Sequence, residues 1–319
     1  DFQRRLRVRI IIITAVSLVA FLLLGFVISY AIVNRMMFVR FFKRRADEDI
    51  LSVSLEDNYY DNCRVEIKSA AEKLEKLRSE RITTTSKDGI TLSARLFSRG
   101  SNKLIMFFHG VRSYPPYCFG VFALEAYKRG YDVLLVDQRA HWESGGKYIT
   151  YGRRESDDVL RWLEKFNDER IKEIYLYGIS MGASTLCYAS DKIVDNRVKG
   201  IVSDCGYTSP EELVDHILTR QKVPKFLVAA AFYCGKKVAK AGMKEKTEEH
   251  LSKTDIPIFF VHGEDDTVVP AFHSERNFNA CRSEKRIEIV KNAGHACAAV
   301  VGGKELRDKI FVFLGDNNG

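Results

Sequence analysis

Glu173-Ile174-Tyr175-Leu176-Tyr177-Gly178-Ile179-Ser180-Met181-Gly182 is the stretch on which the reading of this chain turns. Its first five residues are β-branched and aromatic, the composition of a short buried strand. Ala183 to Ser190 is rich in small, helix-compatible residues. A serine on a sharp strand-to-helix turn has its hydroxyl pushed out at the sheet edge, and the two glycines leave room where side chains would clash. The helix that follows aims its first N–H groups and its dipole at the place where an oxyanion would form. Alone, the pentapeptide also suits an ordinary glycine-flanked turn. Its setting between strand and helix favours a nucleophile.

A nucleophilic serine needs a base, and the base an orienting carboxylate. Of seven histidines, His109 and His262 end apolar strands and each precedes a glycine, which suits strand-end packing. His216 and His250 lie in a helical insertion, His273 in a helix after a proline and His141 in an Arg-Ala-His-Trp turn. His295 differs: it follows Asn292-Ala293-Gly294, just after the strand-like Arg286 to Val290, where a loop residue can lean over the sheet edge toward Ser180. For the acid, Asp265 and Asp266 compete in the loop after the apolar strand Ile256 to Val261, and either also suits capping of the helix near Pro270. Asp204, at the end of the strand Val198 to Ser203, is a third candidate, and spacing does not choose among them.

From about Glu80 to Leu314 the chain resembles an α/β-hydrolase, most of all the membrane-anchored bacterial serine hydrolases of the bile-acid-CoA-acyltransferase-like and serine-aminopeptidase-like group. The resemblance rests on Thr84 to Leu92, Phe107-Phe108-His109-Gly110, Val136 to His141, Gly178 to Gly182, Asp204 to Ser209, His262-Gly263 with Asp266 and Val269-Pro270, and Gly294-His295. The order Ser, Asp, His is that of this fold. The resemblance implies Asp266 as the acid and the N–H groups of Val111 and Met181 as the oxyanion hole. It also implies a hydrolase that needs neither metal nor other cofactor. One position departs from the family: after Arg139-Ala140-His141 stands Trp142 where glycine is usual. That indole is expected either to wall the substrate pocket or to pack against a neighbouring loop.

Charge is unevenly placed. The net charge is +8, and residues 1–45 hold nine Lys or Arg against one acid, leaving 41 basic and 41 acidic residues for the rest. A neutral remainder speaks against nucleic-acid binding. Ile10 to Val33 is a stretch of 24 residues without a charge. As a helix it would reach roughly 36 Å, enough to cross a hydrocarbon core of about 30 Å. A cleaved signal peptide would have a shorter apolar core and a small-residue cleavage site, which Tyr30-Ala31-Ile32-Val33-Asn34 does not make. The expectation is a single-pass anchor over residues 1–45. Four arginines before the span and five basic residues after it do not orient it. Seven cysteines without metal-like spacing suggest free thiols and suit a reducing side, whereas the resemblance implies an external catalytic domain. Met36 to Phe42, apolar and basic together, reads as a plain anchor flank or as a segment lying at the lipid headgroups.

Residues 46–79 read as an acidic linker followed by an amphipathic helix over 63–79 that packs on the main domain through Cys63, Ile67, Ala70 or Ala71, Leu74 and Leu77. A hairpin over Arg81–Ser86 and Ile90–Phe97 precedes strands at Leu104–Phe108, Asp132–Asp137, Glu173–Tyr177, Lys199–Asp204, Pro257–Val261 and Arg286–Val290, alternating with helical stretches. The expected fold for 80–319 is therefore a mostly parallel sheet covered on both faces, with the site at the carboxyl ends of the strands. About fifty residues separate the strands ending near Asp204 and starting near Pro257, too many for a plain connection. They suggest a helical lid over 210–255 whose apolar stripe, including Phe226 and Phe232, joins Trp142 as candidate pocket lining for an acyl chain or aromatic group.

The expected function is a membrane-anchored serine hydrolase acting on a small or lipid-like acyl ester or thioester. Two other readings stay open. A peptidase or amidase would hold a charged N-terminus, for which Glu211, Glu212 and Asp215 are available. The fold also serves as a binding or sensing module with slow or absent turnover.

Overall fold

The computed structural model describes residues 1–46, 63–167, 169–223, 233 and 242–316. Among these residues eight strands form one sheet: β1 (Glu80–Thr85), β2 (Thr91–Phe97), β3 (Lys103–Phe108), β4 (Asp132–Asp137), β5 (Glu173–Ile179), β6 (Val198–Asp204), β7 (Ile258–Gly263) and β8 (Lys285–Val290). Their order is β1-β2-β4-β3-β5-β6-β7-β8. The β1–β2 hairpin is antiparallel and β2 joins β4 antiparallel, while every other neighbouring pair is parallel. Sequence explains who sits where. The near-continuous apolar runs of β3, β4 and β5 are buried apart from the first residues Lys103 and Glu173, as strands covered on both faces must be, whereas Thr-rich β1 stays largely exposed at the edge.

Alternation along the central strands splits the core. Phe107 and Tyr177 face a layer containing Phe119, Phe122 and Phe311, from helices Pro115–Lys128 and Gly303–Phe313. Met106, Phe108 and Leu176 face Trp162 and Leu186, from helices Glu155–Lys165 and Met181–Ala189. The amphipathic helix expected over 63–79 runs from Arg64 to Glu75, buries Ile67, Ala70, Ala71 and Leu74, and packs on helix Pro115–Lys128. The six described cysteines are free thiols, and Cys234 lies outside the described residues.

At the N-terminus one helix runs from Phe2 to Phe42, 41 residues, with its apolar stretch exposed. Its last turn behaves differently. Phe41 and Phe42 are buried in a third apolar cluster with Ile149, Tyr151, Met181, Tyr207, Leu213 and Val269, on top of the strand ends. The Phe42 ring meets Tyr151 edge-on at 5.6 Å, Tyr151 donates from its hydroxyl to the Phe41 carbonyl at 3.0 Å, and Ile149 N–H donates to the Phe42 carbonyl at 2.8 Å. A short bridge pairs Lys43 with Tyr148. This differs from both expectations for Met36 to Phe42: the end of the stretch docks on the folded domain, because two aromatic rings gain more by leaving solvent there than by lying free. Burying such a side chain is worth about 1.5–3 kcal/mol.

Between β6 and β7 come helices Pro210–Arg220 and Thr247–Leu251. Phe226 and Phe232 lie outside the described residues.

Candidate active site

The carboxyl ends of β3, β5, β6, β7 and β8 converge, and β5 occupies the middle. There Ser180 takes φ 53° and ψ −113°, outside helix and strand alike. A non-glycine residue holds such a backbone only where its surroundings over-determine it. The close packing of the flanking glycines does so. A Cβ on Gly182 would fall on the carbonyl of Phe108, and one on Gly178 on the backbone of Gly182 itself. Ser180 N–H donates to the Asp204 carbonyl at 2.8 Å, tying the turn to β6. Arg112, Cys205 and Ala296 share positive φ values, 52°, 48° and 59°, so the strained backbone gathers around the serine.

His295 Nε2 stands 3.1 Å from Ser180 Oγ, and His295 Nδ1 stands 2.7 Å from Asp266 Oδ2. An Nδ1–H donating to the carboxylate leaves Nε2 free to accept the serine proton, the tautomer general-base work requires. Asp266 is buried, which by itself pushes its carboxyl up. Opposing this are His295, His262 and the N–H groups of Val268 and Val269, which donate to Oδ1 at 2.9 and 2.8 Å, and together they hold it well below the usual carboxylate range. It is therefore an anion under all ordinary conditions.

The other two acid candidates stand apart from this arrangement. Asp265 is exposed. Asp204 is fully buried, accepts from the Tyr177 hydroxyl at 3.3 Å and has one carboxylate oxygen without a hydrogen-bond partner among the described residues. Burial raises it to about 6, the histidines nearby notwithstanding. Cys205 Sγ, Asp266 and His295 present ligand atoms within 4.8 Å of one another, but burial pushes the thiol far up and the other two bond each other. That set does not suit a metal.

Above Ser180 opens a cavity of about 550 Å³. Val111 and His295 lie in its wall together with Phe41, Leu213, Ile217, Val268 and Val269. Met181 is the first residue of its helix, where N–H groups have no helical acceptor. Trp142 is not among the described lining residues. Its ring lies 4.5 Å from Tyr114 and its indole N–H donates to the Ser113 carbonyl at 2.8 Å. Of the two roles open to Trp142, packing against a neighbouring loop is the one these contacts support, because the indole finds both a ring and an acceptor there.

Comparison with known proteins points the same way. The profile of a family described as alpha/beta hydrolase fold matches residues 103–240. The chain has the alpha/beta hydrolase fold over that stretch. Over 195 residues this hydrolase-fold chain is 27% identical to the uncharacterized protein YqkD of Bacillus subtilis (strain 168), a match covering 59% of the chain and 64% of that relative, less than two thirds of its length. Esterase Pf2001 of Pyrococcus furiosus superimposes with a TM-score of 0.63 at 23% identity, covering 76% of this chain and 92% of that one. The esterase EaEST of Exiguobacterium antarcticum does so with a TM-score of 0.58 at 15% identity, covering 73% and 98%. At these identities the likeness speaks for the fold.

Within this fold, two histidines set aside as strand-end and turn residues support the site. His262 Nε2 lies 3.2 Å from Asp266 Oδ2 and 2.7 Å from the Val269 carbonyl, so it carries the proton and donates, while Nδ1 faces Ser274 Oγ at 2.6 Å. His141, held neutral by burial and by His109, accepts the Arg112 N–H at Nε2 over 2.9 Å. That bond pins the loop carrying Val111. Neither role was legible from spacing. A histidine directly before Gly263 and four residues before the acid was the available signal for His262.

Proposed function

We propose that this α/β-hydrolase cleaves an acyl ester or thioester by way of an acyl-enzyme, with Ser180 as nucleophile, His295 as general base and Asp266 as its orienting carboxylate. The chain of hydrogen bonds from Ser180 Oγ through the imidazole to Asp266 Oδ2 carries the proposal. Ser180 attacks the substrate carbonyl while His295 Nε2 takes the hydroxyl proton. The N–H groups of Val111 and Met181 receive the oxyanion, worth about 10²–10³ in rate per donor in enzymes of this kind. His295 then passes its proton to the leaving oxygen or sulfur. Water, activated by the same imidazole, attacks the acyl-Ser180 ester, and the serine leaves with its proton restored.

An ester is favoured over a peptide with a free N-terminus. No Asp or Glu is among the described residues lining the cavity, and Glu212 is engaged by Arg276 at 2.6 Å and by Thr208. The exposed apolar helix Phe2–Phe42 supports attachment to a membrane, and its last turn supplies Phe41 to the cavity wall. Removal of that helix as a signal sequence would strip Phe41 and Phe42 from the domain, so the helix is read as retained.

A fluorophosphonate reports an activated serine without knowledge of the substrate. The intact protein is expected to label at Ser180 and to hydrolyse short aryl esters, and Ser180→Ala to lose both. Undiminished turnover by purified Ser180→Ala, or failure of the folded protein to label, overturns the mechanism.

A further inference from the structure

The rim of the cavity is cationic in a way the hydrolytic chemistry does not use. Arg40 enters it from the last turn of the long helix and Arg45 from just beyond that helix, Arg112 from the loop after β3, and Arg220 from the last turn of helix Pro210–Arg220. These segments are far apart in sequence, so a basic anchor flank does not account for the convergence. None of the four is in an ion pair among the described residues. Their partners are neutral: Arg40 donates to Gln221 Oε1 at 3.0 Å, Arg112 to the Lys43 carbonyl at 3.2 Å and Arg220 to the Thr267 carbonyl at 2.6 Å. Such acceptors orient a guanidinium without cancelling its charge. Arg112 Nε is buried with no hydrogen-bond partner among the described residues. Burial above all, with the like charges of Arg45 and Arg40 and against an opposing contribution from Tyr151, also pulls the Arg112 side chain below its ordinary value.

Guanidiniums with no ion-pair partner among the described residues, beside an apolar wall, call for a ligand with both an anion and an acyl chain. Resting on the hydrolase reading above, we infer that the substrate is an acyl ester bearing a phosphate group, the chain against Phe41, Leu213 and Ile217 and the phosphate among Arg40, Arg45, Arg112 and Arg220. A phosphate offers three oxygens and up to two charges, which several forked guanidiniums satisfy better than a planar carboxylate. Arg40 lies in the last turn of the apolar helix and Arg45 three residues past its end, the level at which lipid headgroups lie. The phosphate is accordingly that of a membrane lipid.

The test uses the full chain in nanodiscs of ether-linked dialkyl phosphatidylcholine, which has no acyl ester to cleave, and two substrates, octanoylglycerol phosphate and octanoylglycerol, the same ester with and without the phosphate. The expected kcat/KM is at least about tenfold higher for the phosphate ester at low salt, the advantage shrinking as salt screens the charges. Arg112→Gln and Arg220→Gln should each lower that ratio several-fold, and Arg112→Lys should retain part of it. Equal rates on the two esters, or a ratio unmoved by both glutamine variants, overturn the inference and leave the hydrolase reading standing. So does cleavage of neither ester by protein whose Ser180 labels with fluorophosphonate. Absence of both cleavage and labelling instead takes down the hydrolase reading. A disc-embedded hexadecanoyl phosphate ester should turn over at least as fast as the dispersed octanoyl one, and the reverse preference overturns the assignment to a lipid.

Discussion

Two regions meet at the cavity and were built by different rules. The turn from Gly178 to Gly182 is dictated locally: each residue type is required by a contact within a few ångströms, and a Cβ on either glycine would collide with backbone. The segment from Phe38 to Arg45 carries no such local demand. It reads as the tail of an apolar helix, yet it places Phe41 in the cavity wall and two guanidiniums on the rim. In the mechanism proposed above, one region makes the reactive group and the other shapes what reaches it. The first should tolerate almost no substitution at its glycines, and the second should tolerate change in the helix above it but not where the helix docks.

The sharpest way to break this division is at the acid. Asp266→Asn should leave the protein folded and cost on the order of 10⁴ in turnover, because the imidazole would populate the wrong tautomer. Asp265→Asn should do little. If Asp265→Asn were the crippling change, the geometry described for the site would be wrong. Next in size is the docking turn. Phe42 is 1% exposed and Phe21 is 72% exposed on the same helix. Phe42→Ala should destabilise the catalytic domain by about 3–5 kcal/mol, as loss of a buried aromatic ring does, and lower its melting temperature in the nanodisc. Phe21→Ala should leave the melt within about 0.5 kcal/mol of wild type. Equal effects would mean that the helix end does not belong to the domain.

A smaller effect tests the support beneath the triad. His262→Gln removes a donor to the Asp266 carboxylate, and bonds to charged groups are worth about 1.5–3 kcal/mol. A ten- to hundredfold fall in kcat with KM nearly kept is expected, since the ring positions the acid and does not touch substrate. A fall confined to KM would refute that role. Smallest in turnover is Asp204→Asn, expected within tenfold of wild type, but it carries a pH signature. Burial raises the folded-state carboxyl from 3.8 to about 6, so the native protein holds this proton more tightly than the unfolded chain does. Wild-type stability is therefore eroded as pH rises from about 4 through 6, by up to about 3 kcal/mol for a shift of this size. Asn has no proton to lose. The variant should melt above wild type at pH 7 and lose that advantage below about pH 4; an advantage that grew toward acid would reverse the sign of the argument.

The chain order of residues determined a good deal by itself. Alternating apolar strands and helices imply a parallel sheet, and a serine between two glycines at a strand end implies an elbow, because both follow from periodicity and from steric limits that act within a few residues. Ser180, Asp266 and His295 were nameable from strand-end position and resemblance alone, and the structure brings them within hydrogen-bond distance. What tertiary structure decided was everything set by distance through space. Asp265 and Asp266 differ in sequence by one position, but only the second is turned inward between two histidines. Trp142 was legible as a departure, whereas its packing on Tyr114 depended on a loop brought from elsewhere in the chain. The four arginines lie on three segments whose meeting no local pattern records. Charge acts over space and not along the chain, so their convergence became visible only once the long helix had docked.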